Sequence, residues 1–193
     1  MRPSASGETR ISLCCIKMPR VTLRPMQKQF TIRPLQPQDW PAYRDIRLRS
    51  LADSPDAFGS TLAAEQDRAP QEWAARLSAA AVSGQDCPLV AELAGAGVGL
   101  VWAKVDATDA SVVNIFQMWV APESRGQGIA VTLLREAIAW AKSRDARVVQ
   151  LGVSSANASA VRLYLREGFR DAGSPAPLRP GSPLLEQTMR LRI

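Results

Sequence analysis

The segment "RGQGIA", residues 125–130, constrains the fold of this chain more than any other feature. It lies between two apolar runs, "VVNIFQMWVAP" before it and "VTLLREAIAWA" after it. The first run has the length and the β-branched content of a strand, and the second repeats its apolar residues at the three- and four-residue steps of a helix. The sequence therefore predicts a strand and a helix joined by a turn that contains two glycines.

The residue types of this turn suit the binding of a phosphate or pyrophosphate. The first N–H groups of a helix have no partner within the helix, and they lie at the positive end of its dipole. Gly126 and Gly128 remove side chains that would obstruct an anion, and Ala130 adds little bulk. Arg125 can add a charge-assisted contact.

Four interpretations of the turn compete, and the residues argue against two of them. A nucleotide-binding P-loop requires a lysine after its last glycine, and the segment has none. A dinucleotide fingerprint requires a third glycine after the first strand of a parallel set, but Thr132 and Leu133 follow here. The pyrophosphate of an acyl-coenzyme A, or a turn that only links a strand to a helix, agrees equally well with the pattern.

The rest of the chain predicts a mixed α/β fold. Four helical segments are indicated, and Asp39 and Pro70 mark two helix starts while Gly168 marks a helix end. After a first strand and two helices, three strands with tight links follow one another, which favours an antiparallel meander, and the chain continues into a strand–helix–strand–helix unit with a parallel crossover. The predicted strands are "QFTIRPL", "CPLVAEL", "VGLVWAKV", "VVNIFQMWV", "RVVQLGV" and "LLEQTMRLR".

Composition excludes several kinds of site. The chain has no histidine, which removes most zinc sites and the usual Ser-His-Asp arrangements. Cys14 and Cys15 are adjacent and lack metal-ligand spacing, so we expect no metal, no disulfide framework and a cytoplasmic location. No run approaches the roughly 20 apolar residues of a membrane span, and we expect no membrane association.

The basic charge is concentrated at the N-terminus. The chain has a net charge of +6, and residues 1–29 hold six basic residues against one acidic residue, Glu8. We therefore expect a disordered basic leader over 1–28, with later starts at Met18 or Met26 left open, and a single domain over 29–193. The near neutrality of that domain argues against nucleic acid as a partner, although a nucleic-acid-binding leader remains an alternative.

Two motifs resemble those of one enzyme family. Residues 125–130 match the Q/R-x-x-G-x-G/A signature of the GNAT-superfamily N-acetyltransferases, and "MWVAPESRGQG" resembles their fourth strand and turn. The segment "LGVSSANASAVRLYLREGF" resembles their second motif, with Asn157, Ala160, Leu163, Tyr164 and Gly168 at the expected spacing. The resemblance extends from about residue 30 to residue 193 and is most specific over 112–170.

The resemblance implies a fold and a cosubstrate. The fold would have a central mixed, mostly antiparallel sheet of six to seven strands, flanked by helices, with a V-shaped splay between strands 4 and 5. Acetyl-CoA would enter the splay, where the backbone of Met118 and Val120 would pair with its pantetheine arm and Asn157 would bond to it. The expected pyrophosphate contacts are Arg125, Gly126, Gln127, Gly128, Ile129 and Ala130.

The resemblance also implies a reaction, in which a primary amine attacks the thioester directly in a ternary complex. The Val120 N–H would polarise the thioester carbonyl, and Tyr164 would protonate the leaving thiolate. A core tyrosine on a helix face is the alternative for Tyr164. No general base is assigned, because an amide, Asn114, stands where histone-type members have a glutamate, and Gln117 is also an amide. Glu92 and Glu123 are weaker candidates, and a water chain or an already neutral amine needs none.

The acceptor class stays open among small amines, peptide N-termini and protein lysines. Asp53 and Asp56 form a modest acidic pair, and Arg170 and Arg179 could favour a substrate with a carboxylate. All four agree equally with turn or surface positions. The resemblance also allows a homodimer. A non-catalytic acyl-CoA-binding regulatory module is the alternative function.

Overall fold

The computed structural model describes residues 29–193, and the predicted leader over 1–28 lies outside the described residues. Five α-helices are found there: α1 (Trp40–Asp53), α2 (Leu62–Gln66), α3 (Pro70–Ser83), α4 (Ile129–Ser143) and α5 (Ala158–Arg166). The strands are β1 (Phe30–Pro34), β2 (Asp86–Leu93), β3 (Ala96–Val105), β4 (Val112–Val120), β5 (Val148–Ser154), β6 (Arg170–Asp171), β7 (Ala176–Pro177) and β8 (Leu185–Arg192). No helix in this part of the chain is both long and apolar enough to cross a bilayer.

All eight strands belong to one mixed sheet. Its order is β1-β2-β3-β4-β5-β8-β6, and β7 also pairs with β8. Only β4 and β5 pair in parallel, because α4 carries the chain back between them. The predicted mixed, mostly antiparallel sheet is confirmed. The prediction of six to seven strands missed β6 and β7, which have two residues each and lack any periodicity.

Helices cover both faces of the sheet. On one face, Ile46 of α1 lies against Gly97, and on the other, Leu133 and Ile129 of α4 lie against Gly99. The predicted apolar stripes of α1, α3 and α4 are buried, as expected for helices that pack on a sheet. The short α2, capped by Thr61, was not predicted, because five residues carry no helical period.

Gly99 is required by the close approach of α4. A Cβ at this position would lie 2.9 Å from Leu133 Cδ1 and 3.2 Å from Ala91 Cβ. We therefore expect Gly99→Ala to destabilise the protein by about 1–3 kcal/mol through overpacking. Chemical denaturation measures this, with Gly97→Ala as the control, since its Cβ would meet Ile46 at an ordinary 3.4 Å. Equal stability of the two variants would contradict this packing.

A bulge in β4 opens the sheet. Trp102 of β3 pairs with Phe116, yet Leu100 pairs with Trp119, so β4 has one extra residue. Gln117 occupies the bulge with a positive φ of 56°, and its side chain accepts a hydrogen bond from Tyr43 Oη at 3.1 Å. Pairing between β4 and β5 ends at Ile115 and Leu151, whereas β5 continues with β8 to Ser154. The predicted V-shaped splay between strands 4 and 5 is confirmed.

Candidate active site

Two cavities meet at the splay. The glycine-turn groove, of about 790 Å³, lies between the 124–131 turn, the end of β4 and α5. The sheet-face pocket, of about 680 Å³, lies over β3, β4, β5 and β8, beside α1 and α3. Both cavities are lined by Ala57, Phe58, Met118, Asn157, Ala160 and Tyr164. A ligand in one cavity can therefore reach a ligand in the other.

The glycine turn has the geometry of an anion site. Gly126 and Gly128 have φ values of 76° and 84°, a conformation that favours glycine, and a Cβ on either would meet nothing within 4 Å. No N–H group from Gly126 to Val131 donates a hydrogen bond within residues 29–193. These donors lie at the N-terminus of the 15-residue helix α4, so the helix dipole also favours an anion there.

The Arg125 side chain has a structural role that the sequence did not indicate. Its guanidinium donates to the Val120 carbonyl at 3.0 Å and pairs with the carboxylate of Asp53, which also accepts from Trp119 Nε1 at 2.8 Å. Burial alone would raise the pKa of Asp53, but hydrogen bonds from Ser54, Trp119 and Arg125 outweigh it and lower that pKa. Asp53 lines the groove, but its carboxylate is already bonded by Arg125 and Trp119, so it anchors the turn to α1.

The other predicted turn residues separate into two groups. Ile129 and Ala130 line the groove together with the two glycines. Gln127 does not line it, and its side chain lies toward the Glu123 carbonyl, 3.5 Å away. Arg166, at the end of α5, lines the groove and adds a positive charge that the sequence analysis did not single out.

The end of β4 presents an unpaired edge to the splay. Ala121 N–H donates to Val98 O on β3, and the Val120 carbonyl instead accepts from Arg125. The backbone N–H groups of successive residues in a β-strand point to opposite edges of the strand. The Ala121 N–H points to β3, so the Val120 N–H points to the open edge. The Met118 N–H, two residues earlier, points to the same open edge. The structure therefore leaves backbone groups free where the resemblance places the pantetheine arm and the thioester carbonyl.

Asn157 acts first as a helix cap. Its Oδ1 accepts from Ala160 N–H at 3.1 Å and from Ser159 Oγ at 2.9 Å, which begins α5. Its Nδ2 donates to no atom within the described residues, and the residue lines both cavities. The amide N–H₂ is thus the part of Asn157 that a ligand can use.

Tyr164 lies where the two cavities join. The side chain is 5% exposed and its ring packs against Phe169 at 5.8 Å between centroids. The residue lines both cavities, and its hydroxyl makes no hydrogen bond within residues 29–193. Burial raises the pKa of Tyr164 well above the ordinary value of a phenol, so the hydroxyl keeps its proton throughout the neutral range.

The amide Asn114 and the two candidate bases, Glu92 and Glu123, all bond to other residues. Asn114 lines the sheet-face pocket, donates to Asp106 at 2.8 Å and accepts from Gln150 at 3.2 Å. Glu92 pairs with Arg33 at 2.8 Å, and the exposed Glu123 pairs with Arg49 at 3.2 Å. Neither glutamate lines the sheet-face pocket.

Glu186 is the carboxylate that sequence reasoning missed. This half-buried residue of β8 pairs in register with Ser154, and its carboxyl group covers Gly152, where a Cβ would lie 2.2 Å from Glu186 Cδ. It lines the sheet-face pocket and forms no ion pair or hydrogen bond within the described residues. Burial raises the pKa of Glu186 above that of an ordinary carboxyl group. Only the pairing register of β5 and β8 reveals this position.

Two predicted substrate arginines also have structural roles. Arg170 donates to the carbonyl of Phe169 at 2.8 Å. Arg179 donates to the carbonyls of Pro55 and Phe58, so it holds the late loop against the segment after α1. Neither lines a cavity at the splay. Within residues 29–193, no group of three or more His, Cys, Asp or Glu could hold a metal ion.

The glycine turn, the β4 bulge and the splay place the chain in a known family. The family model described as acetyltransferase (GNAT) family matches residues 40–169, and the chain belongs to this family. One similar curated protein is a mycothiol acetyltransferase from Thermobispora bispora, 32% identical over 143 residues, with 72% of this chain and 45% of that protein covered. The chain spans about half the length of the curated relatives that it matches.

Solved structures agree with the fold. An acetyltransferase of the GNAT family from Streptococcus pneumoniae is 25% identical with a TM-score of 0.74, and 86% of this chain and 100% of that chain are covered. A putative acetyltransferase from Salmonella typhimurium, solved with its cofactor acetyl-CoA, is 22% identical with a TM-score of 0.71, and 85% of this chain and 94% of that chain are covered.

Proposed function

We propose that residues 29–193 form one acetyl-CoA-dependent N-acetyltransferase domain that transfers the acetyl group to a primary amine. One observation carries this proposal: the unpaired N–H groups of the glycine turn, the open edge of β4 and Tyr164 lie along one continuous cleft. A pyrophosphate, an extended amide-bearing arm and a reacting thioester require these three features in this order. Family membership supports the same activity.

The cosubstrate would be bound mainly by backbone groups. The N–H groups of 126–131 would hold the pyrophosphate, with Arg166 as a nearby positive charge. The pantetheine arm would pair with the edge of β4 at Met118 and Val120 and receive a hydrogen bond from Asn157 Nδ2. Arg125 would act through the turn that it fixes, since Asp53 already holds its guanidinium.

The reaction that follows is a direct acyl transfer. The amine nitrogen in the sheet-face pocket attacks the thioester carbonyl carbon, and the Val120 N–H stabilises the negative charge that develops on the oxygen. The C–N bond forms, the C–S bond breaks, and the thiolate takes the proton of Tyr164. Glu186 accepts the proton that the amine loses, a role open to it because no other group in the described residues occupies its carboxylate.

Calorimetric titration with acetyl-CoA, followed by amine-dependent release of CoA thiol, tests the proposal. Micromolar binding of acetyl-CoA together with amine-dependent release of CoA thiol supports the N-acetyltransferase activity. Binding without release for any small amine, peptide N-terminus or protein lysine favours the alternative, a non-catalytic acyl-CoA-binding module. Absence of binding rejects both. A homodimer, a cytoplasmic location and a lack of contact with nucleic acid or membranes stay predictions.

Glu186→Gln is expected to lower kcat by about 10²-fold or more, as for loss of a general base, while acetyl-CoA affinity stays unchanged. In the wild type, the rate should rise with pH as Glu186 loses its proton, at a pH above the ordinary carboxyl range because its pKa is raised. The variant should lose this rising limb. A pH–rate profile of both proteins measures it, and the exposed Glu136→Gln serves as the control.

The same substitution should raise stability at neutral pH. A carboxyl group whose pKa is raised by folding does not lower the free energy of unfolding at a pH below its ordinary pKa, because it is protonated in both the folded and the unfolded state. The cost grows between the ordinary and the raised pKa, where the unfolded chain has lost this proton and the folded protein still holds it, and it stays constant at higher pH. We therefore expect a higher Tm for Glu186→Gln at pH 7 but not at pH 3. A merely structural Glu186 would lower Tm and leave the pH profile unchanged.

A further inference from the structure

The charges of the sheet-face pocket are only partly compensated within the protein. Lys104 pairs with Asp86 at 3.1 Å, and Arg76 lies 3.6 Å from Glu65 Oε2. Two charged residues of the lining have no ion-pair partner within residues 29–193: Arg47 and Glu186. The pocket therefore offers one positive and one negative group to whatever occupies it.

Arg47 is the more unusual of the two. It is 2% exposed, stacks over the Phe58 ring at 4.6 Å, and makes one long hydrogen bond, from Nη1 to Ser50 Oγ at 3.5 Å. Its Nε is buried without a partner. Glu65 acts on it only at a distance, because that carboxylate is bonded by Arg68 at 3.0 Å. A buried guanidinium without a counter-ion is costly, and an anionic ligand would remove that cost.

Other unsatisfied groups are found in the same pocket. Four buried side-chain polar atoms in the described part of the chain lack a hydrogen-bond partner, and three belong to residues that line this cavity. They are Arg47 Nε, Arg76 Nη1 and Ser154 Oγ. Arg76 Nη1 still lies 3.6 Å from the Glu65 carboxylate, so the Arg47 guanidinium is the positive group left without a counter-ion, and a guanidinium fits the two oxygens of a carboxylate.

We propose that the acceptor is a small amine that carries a carboxylate, an amino acid or a close analogue, and that Arg47 binds this carboxylate. The inference rests on the proposed acetyltransferase function. The amine would be directed to Glu186 and the splay, and the half-exposed Phe116 on the pocket lining would contact apolar parts of the acceptor. The volume of about 680 Å³ fits a small molecule.

This charge arrangement argues against the other acceptor classes. A protein lysine or a polyamine brings no anion to Arg47 and would leave its guanidinium buried and unpaired. The N-terminus of a long peptide has its carboxylate far from the reacting amine. An amino acid supplies both charges within one molecule of the size of the pocket.

The test compares the twenty L-amino acids with their carboxamides as acceptors, by release of CoA thiol. We expect at least one amino acid to be acetylated with a kcat/KM about 100-fold or more above that of its amide, since a site that binds a carboxylate discriminates against its absence. In Arg47→Met, this ratio should fall toward 1. Arg44→Gln, a half-buried arginine on the same helix that lines neither cavity, should keep the wild-type ratio.

Acetyl-CoA titration of each variant reports whether the fold and cosubstrate site are intact. Equal or better turnover of the amides, an unchanged ratio in Arg47→Met, or cosubstrate binding with turnover of no amino acid would each overturn the carboxylate site. Failure of the wild type to bind acetyl-CoA would instead reject the proposed function itself. If Arg47→Met does not fold, Arg47→Lys replaces it, with the ratio expected to fall because lysine lacks the bidentate geometry.

Discussion

Gly128→Glu is expected to weaken acetyl-CoA binding by about 100-fold or more, because two like charges about 5 Å apart repel by roughly 3 kcal/mol at an effective dielectric constant of 20. The new carboxylate would enter the open space in front of the α4 N-terminus, where nothing lies within 4 Å of a Cβ at this position. It would also compete with the pyrophosphate for the unpaired N–H groups of the turn. Calorimetric titration of the two proteins measures the loss.

Backbone strain must be separated from this electrostatic effect. Any side chain at residue 128 is strained by the φ of 84°, so Gly95→Glu is the matched control. Gly95 has a φ of 79°, also meets nothing within 4 Å, and lies in the turn between β2 and β3, outside both cavities. We expect both variants to lose similar stability, and only Gly128→Glu to lose affinity. Full affinity in Gly128→Glu would make "RGQGIA" an ordinary linking turn.

Tyr164→Phe is expected to lower kcat by about 10²–10⁴-fold, the range for loss of a general acid, with little change in acetyl-CoA affinity. Thermal stability should change little, since the Tyr164 hydroxyl bonds to no atom within residues 29–193 and the ring stays against Phe169. Because burial raises the pKa of this phenol, the wild-type rate should show no loss from Tyr164 ionisation up to pH 10. The rate of CoA release as a function of pH measures kcat, calorimetric titration measures the acetyl-CoA affinity, and thermal melts measure the stability.

Tyr43→Phe is the control, as Tyr43 is the only other tyrosine of the chain. Its hydroxyl donates to Gln117 at 3.1 Å, so the variant should lose about 1 kcal/mol of stability but keep most of its kcat. If Tyr164→Phe instead keeps full kcat, Tyr164 is a core tyrosine at a helix face, the alternative interpretation of its position.

Local patterns predicted most of the framework. The apolar period of α4, the proline at the start of α3 and the glycine after α5 lie within single segments, so the sequence displays them directly. The strand–helix–strand pattern predicted the parallel crossover, and the motif resemblance added the splay. Elements without a period, such as α2, β6 and β7, were missed because they depend on contacts with distant residues.

The candidate site was predicted only where function rests on the backbone. The open N–H groups at 126–131 follow from glycines and a helix start, and both are visible in the sequence. The pairing of Arg125 with Asp53, 72 positions away, and the unpaired state of Glu186 and Arg47 depend on contacts between distant parts of the chain. For Arg170 and Arg179 the sequence left substrate and surface roles open, and only the structure shows that both side chains donate to backbone carbonyls.

By itself, the sequence determined the family, the order of helices and strands, and the turn that can hold a pyrophosphate, because these depend on short-range periodicity and on residues adjacent in the chain. Only the tertiary structure decided which charges are compensated. Whether a carboxylate or guanidinium is paired, buried or facing a cavity depends on through-space neighbours, and these left Glu186 and Arg47 without an ion-pair partner within residues 29–193.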